Sequence, residues 1–308
     1  MRSEFIKTLT QLAEQDERIV LLTGDLGYTV LEPFIERFPR RFFNVGVAEQ
    51  NMIGVATGLA EAKFIPFVYS IVNFAVVRPY EFIRNGPILH HLPVRIVGVG
   101  GGFEYGPAGM SHFGLEDIGL MRLQKGITTV IPCDIRQTKN ALNQTWNRPG
   151  PVYYRIAKGD KNFSAGLEGK FEIGRVSFIK KGKDLVFITL GSVTKEVCQA
   201  ADLLASQNIS AAVMAVSSFN PGPDEDIKKA LRNFHLAVTV EDHYTTGGLG
   251  SYVAEIRAQH PFPCQIIRCG IHASCDGIVG SREYMLQKNN LCAKSLAQLA
   301  KQKIRLKR

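Results

Sequence analysis

The chain has 308 residues, which is enough for two domains of ordinary size. Its 45% hydrophobic and 21% charged residues are typical of a globular protein, and no apolar run approaches the roughly 18 residues of a membrane span. The net charge of +9 suggests nucleic-acid binding, but six of the basic residues lie in one acid-free stretch from Lys294 to Arg308. Because this excess belongs to a terminal helix end rather than a groove, we expect no nucleic-acid and no membrane partner.

The N-terminus and the cysteines indicate the compartment. Residues Met1 to Phe5 include an early acid and no apolar core of the signal-peptide type, so we expect a mature cytoplasmic chain. The six cysteines are scattered and form no C-x-x-C pair, which predicts reduced, mostly buried thiols rather than disulfides or a metal cluster. They are Cys133, Cys198, Cys264, Cys269, Cys275 and Cys292.

The first half of the chain alternates predicted helices and strands. Short apolar runs predict strands buried on both faces, and apolar residues recurring at three and four positions predict helices. Strands are predicted at 19–23, 42–46, 64–71, 93–99, 128–131 and 152–156. Helices are predicted at 3–15, 32–38, from 49, at 78–91 with an interruption, at 115–123 and at 135–146. This alternation predicts a doubly wound α/β domain with a mostly parallel sheet.

Residues 159–172 break this rhythm, since they contain three glycines and no hydrophobic period. We expect them to link a first domain at 1–158 to a smaller α/β domain at 173–308. In the second domain, strands are predicted at 176–179, 185–190, 211–216, 236–240 and 265–269. Its helices are predicted at 195–206, 225–234 and from the glycine-rich run at 247–250 to residue 259.

Glu49 stands where a strand gives way to a helical pattern. Pattern alone favours a carboxylate that starts the helix, because unpaired backbone N–H groups and the helix dipole favour negative charge there. The functional alternative is a carboxylate held at the strand-to-helix edge to polarise a ligand.

Three further residues follow predicted strands, at the edge where open α/β sheets bind ligands. Asp25 is either a helix cap or part of a site. Phe74 is either a core residue or a stacking platform. His112 ends a glycine-rich loop and is either an ordinary surface imidazole or a functional one. Their joint placement with Glu49 favours a functional site.

The order of these motifs resembles the transketolase family, over essentially the whole chain. The motifs are Gly24-Asp25-Leu26, Val47-Ala48-Glu49-Gln50-Asn51, the run from Phe74 to Asn85, Ser111-His112 and Ile131-Pro132-Cys133-Asp134. A second set is similar to the C-terminal domain of the family: Val240-Glu241-Asp242-His243 followed by Gly247-Gly248-Leu249-Gly250. The resemblance implies a pyrimidine-binding domain followed by a transketolase C-terminal domain.

Full-length transketolases carry a further domain ahead of these two, which binds the diphosphate of thiamine diphosphate. Its Gly-Asp-Gly motif and a later Asn supply the Mg²⁺ ligands, and this chain has no Gly-Asp-Gly. The resemblance therefore implies the C-terminal half of a split transketolase, without metal ligands of its own. It also implies a separate N-terminal subunit as partner, a heterotetramer and a dimer core formed by self-association.

The resemblance also gives roles to the candidate residues. In the family the equivalent of Glu49 hydrogen-bonds a pyrimidine nitrogen and promotes the imino tautomer that deprotonates the thiazolium carbon, which requires a protonated carboxyl group in a dry pocket. Phe74 aligns with the residue that stacks on the pyrimidine, and His112 with a proton donor or oxyanion partner. The remaining expected cofactor contacts are Asp25, Gln50 and Ile71.

The substrate is less well specified. Aligned without gaps from His112, Gly100 and Gly101 stand where relatives carry a His or an Arg for substrate phosphate, and Ala108 where an Asp reads a sugar hydroxyl. Losing such groups should change the substrate. Arg155 and Lys158 are each either phosphate ligands or surface charges at the domain edge.

Three functions stay open at this point. The first is transfer of a ketol or aldehyde unit from a ketose, a ketose phosphate or a 2-oxo acid to an aldehyde acceptor. The second is the β subunit of a 2-oxo-acid dehydrogenase decarboxylase or an enzyme like deoxyxylulose-phosphate synthase. The third is a non-catalytic interaction protein that keeps the fold and binds acidic partners through its basic tail. The intact set of Glu49, Phe74 and His112 argues against this third function.

Overall fold

The computed structural model describes residues 1–160, 163–273 and 277–305. The elements of the first half are α1 (Arg2–Gln15), β1 (Ile19–Thr23), α2 (Glu32–Arg37), β2 (Phe42–Asn44), α3 (Glu49–Glu61), β3 (Ile65–Ile71), α4 (Tyr80–Ile83), β4 (Arg95–Val99), α5 (Asp117–Leu123), β5 (Thr128–Val130), α6 (Ile135–Thr145) and β6 (Val152–Ile156). Those of the second half are β7 (Val176–Lys180), β8 (Leu185–Thr189), α7 (Thr194–Ala205), β9 (Ala211–Val216), β10 (Ser218–Phe219), α8 (Asp224–Asn233), β11 (Leu236–Tyr244), α9 (Leu249–Ala258), β12 (Gln265–Ile271), α10 (Arg282–Lys288) and α11 (Ala293–Arg305).

These strands form two sheets. The larger has the order β10-β5-β6-β4-β3-β1-β2, and only β10 runs antiparallel to its neighbour. The smaller has the order β12-β11-β8-β9-β7, and only β7 is antiparallel. Every residue of β1, β4, β6 and β8 is buried, as expected for parallel strands covered by helices on both faces. The prediction of two mostly parallel, doubly wound α/β sheets is confirmed.

Strand β10 crosses from one half of the chain to the sheet of the other. Ser218 pairs with Val130 and Phe219 with Thr129, so a two-residue strand from the second half extends the first sheet. A strand of two residues has no measurable period, and the sequence pattern therefore missed it. The residues expected to form the linker contain no helix or strand where they are described, at 163–172.

The predicted helix at 78–91 is replaced by a more irregular segment. Helix α4 covers one turn and is flanked by two π-helical turns, Asn73–Val77 and Arg84–Ile88. Pro87, which has no backbone N–H, lies inside the second of these turns. Such wide turns often occur at functional sites, and the first one carries Phe74.

The basic C-terminal stretch is mostly one amphipathic helix. Helix α11 packs against α7 and buries Leu296, Ala297 and Ala300, which leaves Lys294 exposed. Lys307 and Arg308 lie outside the described residues.

Cys275 also lies outside the described residues. Of the other cysteines, four are buried and Cys292 is half-buried. Within the described ranges, no helix is long and apolar enough to cross a membrane.

The two halves of the chain are joined by a buried ion cluster around Arg155, in β6. Its guanidinium is 4% exposed and its Nε lies 3.0 Å from Oδ2 of Asp117, the first residue of α5. Its Nη1 donates to Oδ1 of Asp242 in β11 at 2.9 Å, and its Nη2 to the carbonyl of Gly114 at 3.1 Å. Burial lowers the pKa of Arg155, and the two carboxylates outweigh it, so that the pKa is raised.

Two glycines make room for this cluster. A Cβ on Gly101 would lie 2.1 Å from Nε of Arg155, and one on Gly102 would lie 2.5 Å from Oδ2 of Asp242. Both contacts are far closer than van der Waals distance. Any side chain at these two positions would therefore displace the ion pair.

The neighbours of Asp242 have structural roles as well. The Glu241 carboxylate accepts from the backbone N–H groups of Leu249 and Gly250 at 2.7 and 2.8 Å, which caps the start of α9. Burial raises the pKa of Glu241 to about 7, against the lowering effect of these two hydrogen bonds. Nε2 of His243 accepts from the backbone N–H of Gly119 at 3.2 Å, a second contact between the halves.

We expect Arg155→Met to destabilise the protein strongly, because it leaves the Asp117 and Asp242 carboxylates buried without their cation. Breaking a buried ion pair from one side costs about 3–5 kcal/mol. Urea unfolding followed by circular dichroism measures the change.

Arg175→Met is the matched control. Arg175 is 58% exposed and pairs with Asp226 at 2.8 Å, so its loss should cost less than about 1 kcal/mol. If Arg155→Met lowered the free energy of unfolding no more than Arg175→Met does, the structural role of the buried cluster would be contradicted.

Candidate active site

The candidate residues lie along the carboxyl edge of the larger sheet. Gly24 and Asp25 follow β1, Glu49 follows β2, and Phe74 follows β3. The loop that ends at His112 follows β4. Strands β1 to β4 all run in the same direction, because β1 is parallel to β2 and β3, and β3 is parallel to β4. The segments that follow them therefore all leave the sheet at the same edge.

Glu49 is the first residue of α3, as the helical pattern predicted, and its side chain is only 1% exposed. Its Oε2 accepts from Nη1 of Arg78 at 2.5 Å, and Oγ of Ser70 lies 3.5 Å from Oε1. A Cβ on Gly24 would come within 3.2 Å of the same Oε1. The carboxylate is therefore enclosed by β1, β3 and the turn after β3.

Phe74 and His112 are in contact. The Phe74 ring is half-buried in the π-helical turn, and the His112 ring meets it nearly edge-on, with the ring centroids 5.2 Å apart and the planes at 72°. Asn73 Nδ2 donates to the carbonyl of Ser111 at 3.0 Å and ties the two loops together. Oγ of Ser111 lies 2.9 Å from Nδ1 of His112.

Arg78 joins Glu49 to this aromatic pair. Its Cζ lies 4.3 Å from the centroid of the Phe74 ring, while its Nη1 contacts the Glu49 carboxylate. Glu49, Phe74 and His112 are thus brought together in one cluster, with Arg78 between the first two.

Lys158 reaches the same cluster through Tyr105. Its Nζ lies 4.5 Å from the centroid of the Tyr105 ring, and that ring lies 6.1 Å from the ring of His112. Burial raises the pKa of the Tyr105 phenol. Tyr105 therefore contacts both the ammonium group of Lys158 and the imidazole of His112.

Asp25 is exposed and does not cap a helix, because α2 begins only at Glu32. The helix-cap alternative is wrong. The residue has a left-handed backbone with φ of 57°, and its Oδ1 accepts from Nδ2 of Asn44 and from the hydroxyl of Tyr28, both at 3.0 Å. These hydrogen bonds lower the pKa of Asp25.

Gln50 and Ile71 lie next to the cluster in sequence. Gln50 is exposed in the first turn of α3, and Ile71 is half-buried at the last position of β3. Their expected contacts with the cofactor stay predictions.

Arg155 lies away from this cluster, inside the ion network between the two halves of the chain. Of its two alternatives, a surface charge at the domain edge is wrong, because the guanidinium is 4% exposed and engaged by two carboxylates. The alternative of a phosphate ligand stays a prediction. The same finding changes the interpretation of Gly101. Its missing side chain makes room for Arg155, so the absence of a cation there has a packing cause and does not by itself indicate a new substrate.

Arg78 and Tyr105 are the residues of the cluster that sequence reasoning missed. Arg78 stands four residues after Phe74, a spacing that in an α-helix would also place the two side chains on one face. This spacing could have predicted the contact between Arg78 and Phe74 from the sequence. Tyr105 lies in an irregular loop, where no periodic pattern identifies its neighbours.

The donor set of this cluster fits an aromatic nitrogen base. It offers a buried carboxylate, an aromatic ring and an imidazole within one edge of the sheet. In the described part of the chain, no three His, Cys, Asp or Glu side chains are grouped so as to hold a metal ion. The carboxylate, the ring and the imidazole therefore suit the pyrimidine of thiamine diphosphate, the cofactor that the resemblance implies.

The fold and the cluster define an α/β enzyme subunit with a ligand site at the carboxyl edge of its larger sheet. The model of the transketolase pyrimidine-binding domain matches residues 1–162, and that of the transketolase C-terminal domain matches residues 174–274. The chain belongs to the transketolase family, and it is a transketolase-like transferase subunit.

Similar proteins have nearly the same length. A chain of Methanocaldococcus jannaschii, provisionally named a transketolase C-terminal section, is 37% identical over 96% of this chain and 94% of its own. An apulose-4-phosphate transketolase subunit of Phocaeicola vulgatus is 33% identical over 96% of both chains. A solved split-gene transketolase, described as an inactive beta4 tetramer, superposes with a TM-score of 0.88 at 32% identity and covers 100% of this chain and 99% of its own.

Proposed function

We propose that this chain is the cytoplasmic C-terminal, β-type subunit of a split thiamine-diphosphate-dependent transketolase. The assembled enzyme transfers a ketol or aldehyde unit from a ketose, a ketose phosphate or a 2-oxo acid to an aldehyde acceptor. The observation that carries the proposal is the buried carboxylate of Glu49 beside Phe74 and His112. The similar length of the Phocaeicola vulgatus relative, which is named as one subunit of a transketolase, supports the division into two chains.

When bound, thiamine diphosphate supplies a carbon nucleophile that amino-acid side chains lack. In this chain Glu49 would hydrogen-bond the pyrimidine and Phe74 would stack on it, with Asp25, Gln50 and Ile71 around them. The diphosphate and Mg²⁺ ligands belong, in this proposal, to the N-terminal subunit, because the described residues group no metal-binding side chains.

Two residues would handle protons. Glu49 would exchange a proton with the pyrimidine through a hydrogen bond in its enclosed position. His112 would donate to the substrate carbonyl oxygen, and Ser111 beside Nδ1 would fix the orientation of its ring.

Glu49→Gln should lower the activity of the assembled enzyme at least about 100-fold, because the N–H protons of the amide are not acidic enough to be exchanged with the pyrimidine. Gln has the shape of Glu, so the fold should persist. The measurement is transferase turnover with the N-terminal subunit and a ketose phosphate donor.

Glu61→Gln is the control for this substitution, since Glu61 ends the same helix and is exposed. It should leave turnover unchanged. Full turnover by Glu49→Gln would refute the proposed role of the carboxylate.

The outward face of α3 supports assembly with other chains. Gly54 and Gly58 lie one turn apart on this face, and a Cβ on either would meet nothing within 4 Å. Val55 and Val47 are 39% and 73% exposed nearby. Exposed glycines cost an isolated helix about 1 kcal/mol each relative to alanine, but they allow another backbone to approach closely.

We therefore assign this face of α3 to subunit contacts, in a heterotetramer of two copies of each chain. The split-gene relative is described as forming an inactive beta4 tetramer, which supports self-association of this chain without its partner.

Gly58→Leu should weaken association and leave the fold intact, because the added side chain has open space in the monomer. Sedimentation velocity measures the oligomeric state, and circular dichroism measures the fold. Lys229→Leu adds the same side chain to the exposed face of α8 and should not alter the oligomer. Unchanged association of Gly58→Leu would exclude this face.

Lys158 is our proposed contact for an anionic end of the substrate. Lys158 is half-buried, its ammonium contacts the Tyr105 ring that also meets His112, and its backbone carbonyl accepts from Nε of Arg2 at 2.9 Å. The named substrate of the Phocaeicola vulgatus relative is a sugar phosphate, which supports a phosphorylated donor.

Lys158→Gln should raise KM for a ketose phosphate about tenfold, which corresponds to about 1.4 kcal/mol of binding free energy. KM for the matching unphosphorylated ketose should stay the same, since it has no charge to lose. An equal rise in KM for both donors would show that Lys158 does not bind the substrate phosphate.

A further inference from the structure

Arg78 makes the same two contacts that the proposed function gives to the cofactor pyrimidine. Its Nη1 donates to Oε2 of Glu49 at 2.5 Å, and its Cζ lies 4.3 Å from the centroid of the Phe74 ring. A guanidinium resembles an aminopyrimidine because it is flat, rich in nitrogen and able to stack on aromatic rings. The direction of the hydrogen bond differs, since Arg78 donates to Glu49 whereas the pyrimidine nitrogen would accept from it.

The two groups exclude each other in this geometry. A guanidinium 4.3 Å from a ring centroid occupies stacking distance, so no second planar group fits on the same ring face. The His112 ring covers an edge of Phe74, and Glu49 is enclosed by the protein on its other sides. A pyrimidine that stacks on this face of Phe74 and contacts Oε2 of Glu49 must therefore displace Arg78.

The partner of the Glu49 carboxylate depends on the same contact. With Arg78 in place, the buried carboxylate is compensated by a cation at hydrogen-bonding distance. Without Arg78, the enclosed carboxyl group needs another hydrogen-bonding partner, because a buried polar group without one is costly. Displacement of Arg78 thus frees the carboxyl group for the hydrogen bond to the pyrimidine that the proposed mechanism requires.

Arg78 is able to move without unfolding its surroundings. Its side chain is 36% exposed, and its backbone N–H stays bonded to the carbonyl of Asn73 at 3.0 Å. The long side chain can swing into solvent by rotation about its own bonds. The cost is limited to the ion pair and the stacking contact.

Building on the proposed function, we propose that Arg78 is a positioning residue that holds the place of the pyrimidine in the free chain. It keeps Glu49 paired until the cofactor arrives and then yields both contacts. The apparent affinity for the pyrimidine is the intrinsic affinity multiplied by the fraction of chains in which Arg78 has left the site.

Thiamine is the probe, because it carries the pyrimidine and no diphosphate and so needs no metal site on the partner. In calorimetric titrations of the full chain, Arg78→Met should bind thiamine about tenfold more tightly than the unmodified chain. Arg84→Met removes a nearby exposed charge and should leave the affinity unchanged.

Nuclear magnetic resonance of ¹⁵N-arginine-labelled chain gives a second readout. The side-chain signal of Arg78 is identified by its absence in Arg78→Met and Arg78→Lys. Thiamine should move this signal to the position typical of solvent-exposed arginines. A signal that stays in place at saturating thiamine would overturn the proposal.

Two further variants separate failure of this proposal from failure of the proposed function. Glu49→Gln and Phe74→Ala should both weaken thiamine binding. If neither does, or if no form of the chain binds thiamine, the pyrimidine site itself is refuted. If both weaken binding while Arg78→Met binds no more tightly than the unmodified chain, the site stands and the role of Arg78 is refuted.

Discussion

The buried ion cluster of Arg155 is the contact on which the arrangement of the two halves depends. It joins β6 and α5 to β11, and through the carbonyl of Gly114 it also holds the base of the loop that carries His112. Gly102 and Gly114 pair across that base. The second domain therefore supports the loop that carries His112. Buried ion pairs add little net stability, but they penalise every arrangement that separates their partners.

Local sequence patterns were sufficient for most of the architecture. The bounds of β6 and β9 follow directly from short apolar runs, and Glu49 starts α3 as its pattern predicted. These features depend on residues within a few positions of one another. The alternation of such elements then determines the parallel sheets.

The features that the patterns missed depend on distant partners. Arg155 stands in the run Val152–Ile156, where a single cation suggested the edge of a domain, and its partner Asp242 lies 87 residues away. Strand β10 forms by pairing with β5, which lies far from it in the sequence. The contact of Arg78 with Glu49 spans 29 residues and depends on a π-helical turn that periodicity does not predict. Family resemblance identified the candidate residues of the site, but it did not predict the ion pairs that they form.

Strand β10 determines how the larger sheet ends. By pairing with β5 it covers the outer edge of that strand and becomes an edge strand of only two residues. The opposite edge is β2, which has only three residues. Short edge strands are one way in which sheets resist pairing with other chains. The crossing of the chain between the halves thus gives the larger sheet a short edge strand at each end.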